Sequence, residues 1–141
     1  MTDTPPSRRR FLACLLYESL VVFAILLIGF LLPQVVLSGF HMEAGGRLLW
    51  MHVVALLGAY FVWCWLNGGQ TLPMKTWRIR VVDRSGKPLR PLQAIVRYGA
   101  AWLSTILLGA GFAWALLDPQ RRTLHDLLAG SMLQQTPETK N

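Results

Sequence analysis

The chain has 141 residues, of which 53% are hydrophobic and only 15% are charged, and it carries a net charge of +7. A composition this apolar excludes an ordinary soluble domain, and the length indicates one structural unit rather than several. The basic residues flank apolar segments, as they do in the cytoplasmic loops of membrane proteins. Because no recognition motif accompanies them, we expect the lipid bilayer as a partner and no nucleic acid.

The first apolar segment covers residues 11–32 and is long enough to cross a bilayer as a helix. Three arginines, Arg8–Arg10, precede it, and Glu18 is the only charge inside it. Its length, this carboxylate and the lack of a small-residue cleavage site argue for an uncleaved span rather than a signal peptide. We expect the helix to reach about Leu32, where Pro33 kinks or ends it.

The second apolar segment covers residues 48–66 and contains His52. Trp50 lies near one end of this segment, and Trp63 and Trp65 lie near the other. Such a distribution is typical of the aromatic belts at the two membrane interfaces, so we expect a second span.

A basic loop of residues 70–91 follows. It contains six basic residues against a single acid, Asp83: Lys75, Arg78, Arg80, Arg84, Lys87 and Arg90. Apolar and basic residues alternate over 77–81, which indicates a strand, and Ser85-Gly86 supplies a turn. We expect a short hairpin or an extended segment that lies against the lipid headgroups.

The third apolar segment, residues 98–117, is about long enough for one more span. The predicted fold is therefore an all-α membrane protein with three transmembrane helices. The alternative is a re-entrant third segment that folds back at Gly109–Gly111 and returns the tail to the side it came from. In the tail, the spacing of Leu124, Leu127 and Leu128 indicates a short amphipathic helix.

The distribution of charge predicts the topology and the division of the chain. The arginines at the N-terminus and the basic loop hold most of the Lys and Arg, whereas residues 38–46 have none. The positive-inside rule then places the N-terminus and the basic loop in the cytoplasm. We expect a disordered segment at 1–8, a membrane domain at 9–134 and a polar tail at 135–141.

Three stretches of the chain resemble the RDD family of small, mostly bacterial membrane proteins, which is named for one arginine and two aspartates. They read RRRFLACLLYES, GGQTLPMKTWRIRVVDRSGKPL and RYGAAWLS followed by DPQRRTLHDLLAG. The resemblance places the family arginine on Arg10 and the aspartates on Glu18 and Asp126. Glutamate replaces the first aspartate, and Pro73 stands where the family usually has glycine. The family implies residence in the bacterial inner (plasma) membrane and a transport-related role.

Glu18 and Arg10 each have two interpretations. Glu18 is either a proton- or cation-binding group in a polar pocket, or a buried group that orders the helices by pairing with a basic side chain or Tyr98. Arg10 either extends towards lipid phosphates or pairs with Asp126 or Glu18.

Arg97, Asp126 and His52 are further candidates. Arg97 either faces headgroups or completes a charge cluster with Glu18, and Asp126 is expected in a structural ion pair rather than in acid–base catalysis with His125. For His52, contact with a neighbouring helix is the simpler interpretation, and a proton path shared with Glu18 is the alternative. Cys14 and Cys64 lack metal-ligand spacing and are expected to act as small hydrophobic groups.

Two classes of function remain open from the sequence. One is a transport-related component that uses Glu18 and, having few apolar segments, requires a homo-oligomer to enclose a path. The other is a non-catalytic subunit or adaptor whose basic loop binds a membrane partner protein or anionic lipids. We expect no enzymatic activity, cofactor or metal, because no nucleophile, ligand or phosphate-loop motif is present.

Overall fold

The computed structural model describes residues 5–42, 45–107 and 109–136, which form six helices and two strands. The helices are α1 (Arg8–Gly39), α2 (Gly46–Leu66), α3 (Leu72–Thr76), α4 (Pro91–Ile106), α5 (Ala110–Leu117) and α6 (Leu124–Ala129), and the strands are β1 (Ile79–Asp83) and β2 (Ser131–Gln135). Of the segments predicted to be disordered or polar, residues 1–4 and 137–141 lie outside the described part of the chain.

Two helices, α1 and α2, are long and apolar enough to cross a membrane. The 32 residues of α1 span about 48 Å and the 21 residues of α2 about 32 Å, against a hydrocarbon core of about 30 Å. Along α1, Leu16, Phe23 and Ile28 are 67%, 64% and 62% exposed. Apolar side chains exposed over such a length require an apolar surrounding to cover them.

The end predicted for the first helix, near Leu32, is wrong: α1 passes through Pro33 and continues to Gly39. A proline has no backbone N–H, so the carbonyl of Gly29, four residues earlier, loses its helical donor. The Nε2 atom of His52 on α2 lies 3.0 Å from that carbonyl oxygen and supplies the missing hydrogen bond. The interruption is therefore compensated from the neighbouring helix, which explains how α1 passes through Pro33.

The strand predicted in the basic loop is confirmed. Of the two predicted arrangements, a hairpin within the loop or an extended segment, the hairpin is wrong. β1 pairs antiparallel with β2 in the tail, where Val81 lies opposite Leu133. Asp83 closes the turn after β1 by accepting hydrogen bonds from the backbone N–H groups of Ser85 and Lys87, both at 2.8 Å. Pro88 follows directly, and a residue without an N–H cannot extend the ladder on that side.

The third apolar segment forms two helices rather than one straight span. The axes of α4 and α5 are bent by 99° relative to one another. Gly109, at the start of α5, has a φ of +77°, a left-handed conformation that glycine adopts without steric cost. Because β1 and β2 are paired, the basic loop and the tail lie on the same side of any membrane that α1 and α2 cross. This arrangement favours the re-entrant alternative.

The buried core lies where the start of α1, the end of α2 and the sheet meet. Phe11, Trp65, Ile79, Val81 and Leu133 contribute its large side chains, each at most 5% exposed. The helix predicted in the tail is confirmed as α6, although Leu128 on it is 57% exposed. The core therefore gathers four chain segments around one end of the long helices.

Candidate charge cluster and cavity

A buried ion pair connects α4 to α6. The Nε and Nη2 atoms of Arg97 lie 2.9 and 2.8 Å from Oδ1 of Asp126, and the two side chains are 3% and 0% exposed. The guanidinium carbon of Arg97 also lies 4.3 Å from the ring centroid of Trp65, so one face of this indole contacts the cation. The predicted ion pair of Asp126 is present, and its partner is Arg97 rather than Arg10.

Hydrogen bonds from three further donors complete the environment of Asp126. The backbone N–H and the hydroxyl of Thr123 donate to Oδ2 at 3.0 and 2.6 Å, and the hydroxyl of Ser131 donates to Oδ1 at 2.9 Å. Burial by itself would raise the pKa of Asp126, but the Arg97 charge and the donated hydrogen bonds outweigh it and hold this pKa well below its usual range. Asp126 is therefore an ionised structural group at neutral pH.

His125 is buried beside this pair, with its ring edge-on to Phe112 at a centroid distance of 5.0 Å. Burial and the positive charge of Arg97 lower the pKa of His125 to about 4. The imidazole is therefore neutral at physiological pH and contributes no charge to the cluster.

Glu18 lies half-buried on α1 and is held by a residue from the basic loop. The hydroxyl of Thr71, which is fully buried, donates to its Oε2 at 2.5 Å. The other oxygen, Oε1, is buried and has no hydrogen-bond partner among the described residues. Arg97 is close enough to act on Glu18 electrostatically, but its guanidinium hydrogen bonds go to Asp126. The hydroxyl of Tyr60 also lies close enough to interact with this carboxylate, so Oε1 is the oxygen of Glu18 that receives no hydrogen bond from the described residues.

A partly enclosed cavity of about 540 Å³ connects these groups. Glu18, Arg97 and His125 all line it, and most of the remaining wall is apolar or aromatic. Within the described part of the chain, no three His, Cys, Asp or Glu side chains come together in a way that could hold a metal ion. The cavity has the shape and lining of a small-molecule site with very few polar positions.

The other candidate residues lie apart from this cavity or make different contacts. Arg10 makes no ion pair with any residue that the structure describes, and its backbone N–H donates to Ser7 at 3.4 Å. His52 contacts the backbone of α1 as the simpler interpretation required. The hydroxyl of Tyr98, which the sequence suggested as a partner for Glu18, donates instead to the carbonyl of Val54 at 2.6 Å. Cys14 and Cys64 are free and buried.

Sequence reasoning missed Thr71, Thr123 and Ser131 as the donors to the two carboxylates. Thr123 had a local signal, because Thr-x-x-Asp is the spacing of a capping box and both reciprocal hydrogen bonds form at the start of α6. No local sequence pattern indicated Thr71 or Ser131, since each contacts its carboxylate only in the folded chain.

Comparison with protein families identifies the chain. The model of the RDD family matches residues 4–130, which is nearly the whole sequence, so the chain belongs to the RDD family. Comparisons with curated proteins and with solved structures find no match.

Proposed function

We propose that this protein is an integral membrane component that carries a proton or a cation by way of the Glu18 carboxylate. The observation that supports the proposal is the placement of Glu18 on a helix long enough to span a membrane, beside a cavity, with one buried oxygen unpartnered. A carboxylate in such a position is expensive to maintain, and intramembrane carboxylates characteristically serve ion or proton paths.

The proposed topology has two spans and a re-entrant third segment. The N-terminus, the basic loop and the tail then lie together on the cytoplasmic side of the bacterial inner membrane. This arrangement agrees with the positive-inside rule and with the pairing of β1 and β2. It also removes the difficulty of sending Arg121 and Arg122 across the membrane.

The direct test is ion movement in proteoliposomes. Purified protein would be reconstituted with a pH-sensitive dye inside, and proton movement would be recorded after Na⁺ or K⁺ is added outside. The expected result is a flux that Glu18→Gln abolishes and Glu18→Asp, which restores the family's residue, retains. Both variants should incorporate and melt like the parent protein. Flux that is absent from the parent protein, or unchanged in Glu18→Gln, would refute the proposed role.

A second candidate function is that of an adaptor that binds anionic lipids or an acidic partner through the basic loop. It is favoured by the exposure of all six basic side chains of the loop. The one acid of the loop, Asp83, accepts three hydrogen bonds from Ser85 and Lys87 within the turn after β1. Each basic residue near an anionic surface contributes on the order of 1 kcal/mol. A peptide of residues 70–91 should bind acidic vesicles, and binding that ignores salt and lipid charge would reject this function.

A further inference from the structure

The cavity beside Glu18 has one unmatched charge. Of its ionisable lining residues, Arg97 is neutralised by Asp126, which is completely buried behind it. His125 is neutral at physiological pH. Glu18 receives a hydrogen bond from the neutral hydroxyl of Thr71, which adds no positive charge. An ionised Glu18 would therefore make the cavity attractive to a cation.

The rest of the wall determines what kind of cation fits. The aromatic side chains Phe61, Trp65, Tyr98 and Trp102 line the cavity together with aliphatic ones from α1. A hydrated metal ion would gain little here, because it requires several oxygen ligands and the described residues provide no ligand cluster. The apolar or aromatic part of an organic ligand would instead gain binding free energy by displacing water from the wall. The faces of the aromatic rings would also attract its positive charge.

The volume is also informative. A cavity of about 540 Å³ lies within the range of 300–1,000 Å³ that is typical of sites for small organic ligands. It greatly exceeds the volume of about 30 Å³ that one water molecule occupies. The space therefore suits a molecule of two or three rings rather than a bare ion.

We propose that this cavity binds an amphipathic organic cation, an aromatic body that bears one ammonium group, with the ammonium against Glu18. The inference rests on the proposed function and names the class of its substrate. Glu18 supplies the charge, and the aromatic wall holds the body. A lipid acyl chain, which carries no positive charge, is the competing occupant and is distinguished by the test.

The test compares two fluorescent molecules of nearly the same shape, 9-aminoacridinium and uncharged acridine, at about pH 7.5. The full chain would be placed in nanodiscs of phosphatidylcholine, which has no net charge, and fluorescence anisotropy would be corrected with empty nanodiscs. We expect saturable binding of the cation at least about tenfold tighter than that of acridine, the size of one charge-assisted hydrogen bond. Equal binding of the two molecules, or no saturable binding of either, would overturn the proposal.

Three variants assign the preference to this cavity. Glu18→Gln should remove the preference for the cation and leave acridine binding unchanged, whereas Glu18→Asp should keep the preference. Val22→Trp fills the cavity one helical turn from Glu18 and should weaken the binding of both molecules. Melting curves in the same nanodiscs identify any variant that fails to fold. The remaining two variants then still show whether the preference for the cation depends on this cavity. A preference that survives in both Glu18→Gln and Val22→Trp would place the site elsewhere.

The outcomes separate this inference from the proposed function. If proteoliposomes show a flux that depends on Glu18 but 9-aminoacridinium does not bind, the carrier role stands and the proposed substrate class is wrong. If the cation binds through Glu18 and no flux is found, the site stands and the carrier role is wrong.

Discussion

Arg97 and Asp126 are separated by 29 residues in the chain, yet two guanidinium nitrogens lie within 3 Å of the same carboxylate oxygen. The pair joins α4 to α6 across the bend of the third apolar segment, and Ser131 at the start of β2 donates to the same oxygen. One carboxylate thus holds together α4, α6 and the strand that pairs with the basic loop.

Removing the charge of Asp126 should be strongly destabilising. In Asp126→Asn, the guanidinium of Arg97 remains buried without its counter-ion, and the loss of one partner from a buried pair costs about 3–5 kcal/mol. The free energy of unfolding would be measured by denaturant titration in mixed micelles. Asp118→Asn is the matched control, because the Asp118–Arg122 pair lies nearer to solvent and should contribute at most about 1 kcal/mol. Similar costs for the two variants would contradict the structural role assigned to Asp126.

His125 should make stability depend on pH in a defined window. Its pKa is about 4 in the folded protein and 6.5 in the unfolded chain, so the unfolded chain binds more protons between these values. Stability should therefore fall as the pH is lowered from about 6.5 to about 4, by up to about 3 kcal/mol. The depressed pKa of Asp126 acts only below the usual Asp value of 3.8, so Asp126 does not contribute to the change in this window.

The measurement is the unfolding midpoint in the same micelles between about pH 7 and pH 4. His125→Phe keeps a ring against Phe112 and should flatten the dependence. His41→Gln, which changes an exposed histidine, should leave it intact. A slope that persists in His125→Phe would assign the titration to another group.

Thr71 should stabilise the protein through Glu18. Thr71→Val keeps the shape of a fully buried side chain but removes the hydroxyl that donates to Oε2 of Glu18. A buried group left unsatisfied costs about 1–3 kcal/mol. Thr76→Val, at the exposed end of the short helix α3 that Thr71 precedes, should change stability by no more than about 0.5 kcal/mol. If Glu18→Leu, which removes the acceptor, makes Thr71→Val harmless, the coupling between the two is confirmed.

The sequence predicts those features of the fold that follow from local pattern. The apolar segments of 11–32 and 48–66 became the long helices, and the alternation over 77–81 became β1. The partner of β1 could not be predicted in this way, because β2 lies about 50 residues further on and no short-range signal links the two strands.

The candidate site was predicted only in part. Glu18 could be identified as an unusual acid, since a carboxylate among apolar residues is conspicuous in a sequence. Asp126 was identified only through the resemblance to the RDD family. Their partners could not be identified, because Arg97, Thr71 and Ser131 reach them through tertiary packing. Local rules also gave the wrong end for α1, since the donor that compensates for Pro33 comes from α2.

The hydrogen bond of His52 should matter only while Pro33 is present. His52→Leu removes the donor to the Gly29 carbonyl and should cost about 1–2 kcal/mol. In a Pro33→Ala background, the new backbone N–H of residue 33 satisfies that carbonyl, and the same change should be nearly neutral. Unfolding of the four proteins in the double-mutant cycle gives the coupling directly, and strictly additive effects would show that His52 does not compensate for Pro33.

The pairing of β1 with β2 predicts where the tail lies relative to the membrane. Single cysteines would be introduced at Met42, Ser85 and Gln120, which are exposed, in a chain whose buried Cys14 and Cys64 are replaced by alanine. Positions 85 and 120 should both resist a membrane-impermeant thiol reagent in whole cells and react after the cells are opened. Position 42, at the far end of α1, should react in whole cells.

This pattern follows from two crossings and a re-entrant third segment, because a complete third crossing would expose position 120 together with position 42. Labelling of 42 and 120 but not 85 in whole cells would mean that α4 and α5 cross the membrane. The sheet between β1 and β2 could then not form in the membrane-embedded protein, since its strands would lie on opposite sides. Reaction at 85 and 120 but not at 42 in whole cells would reverse the orientation inferred from the basic residues.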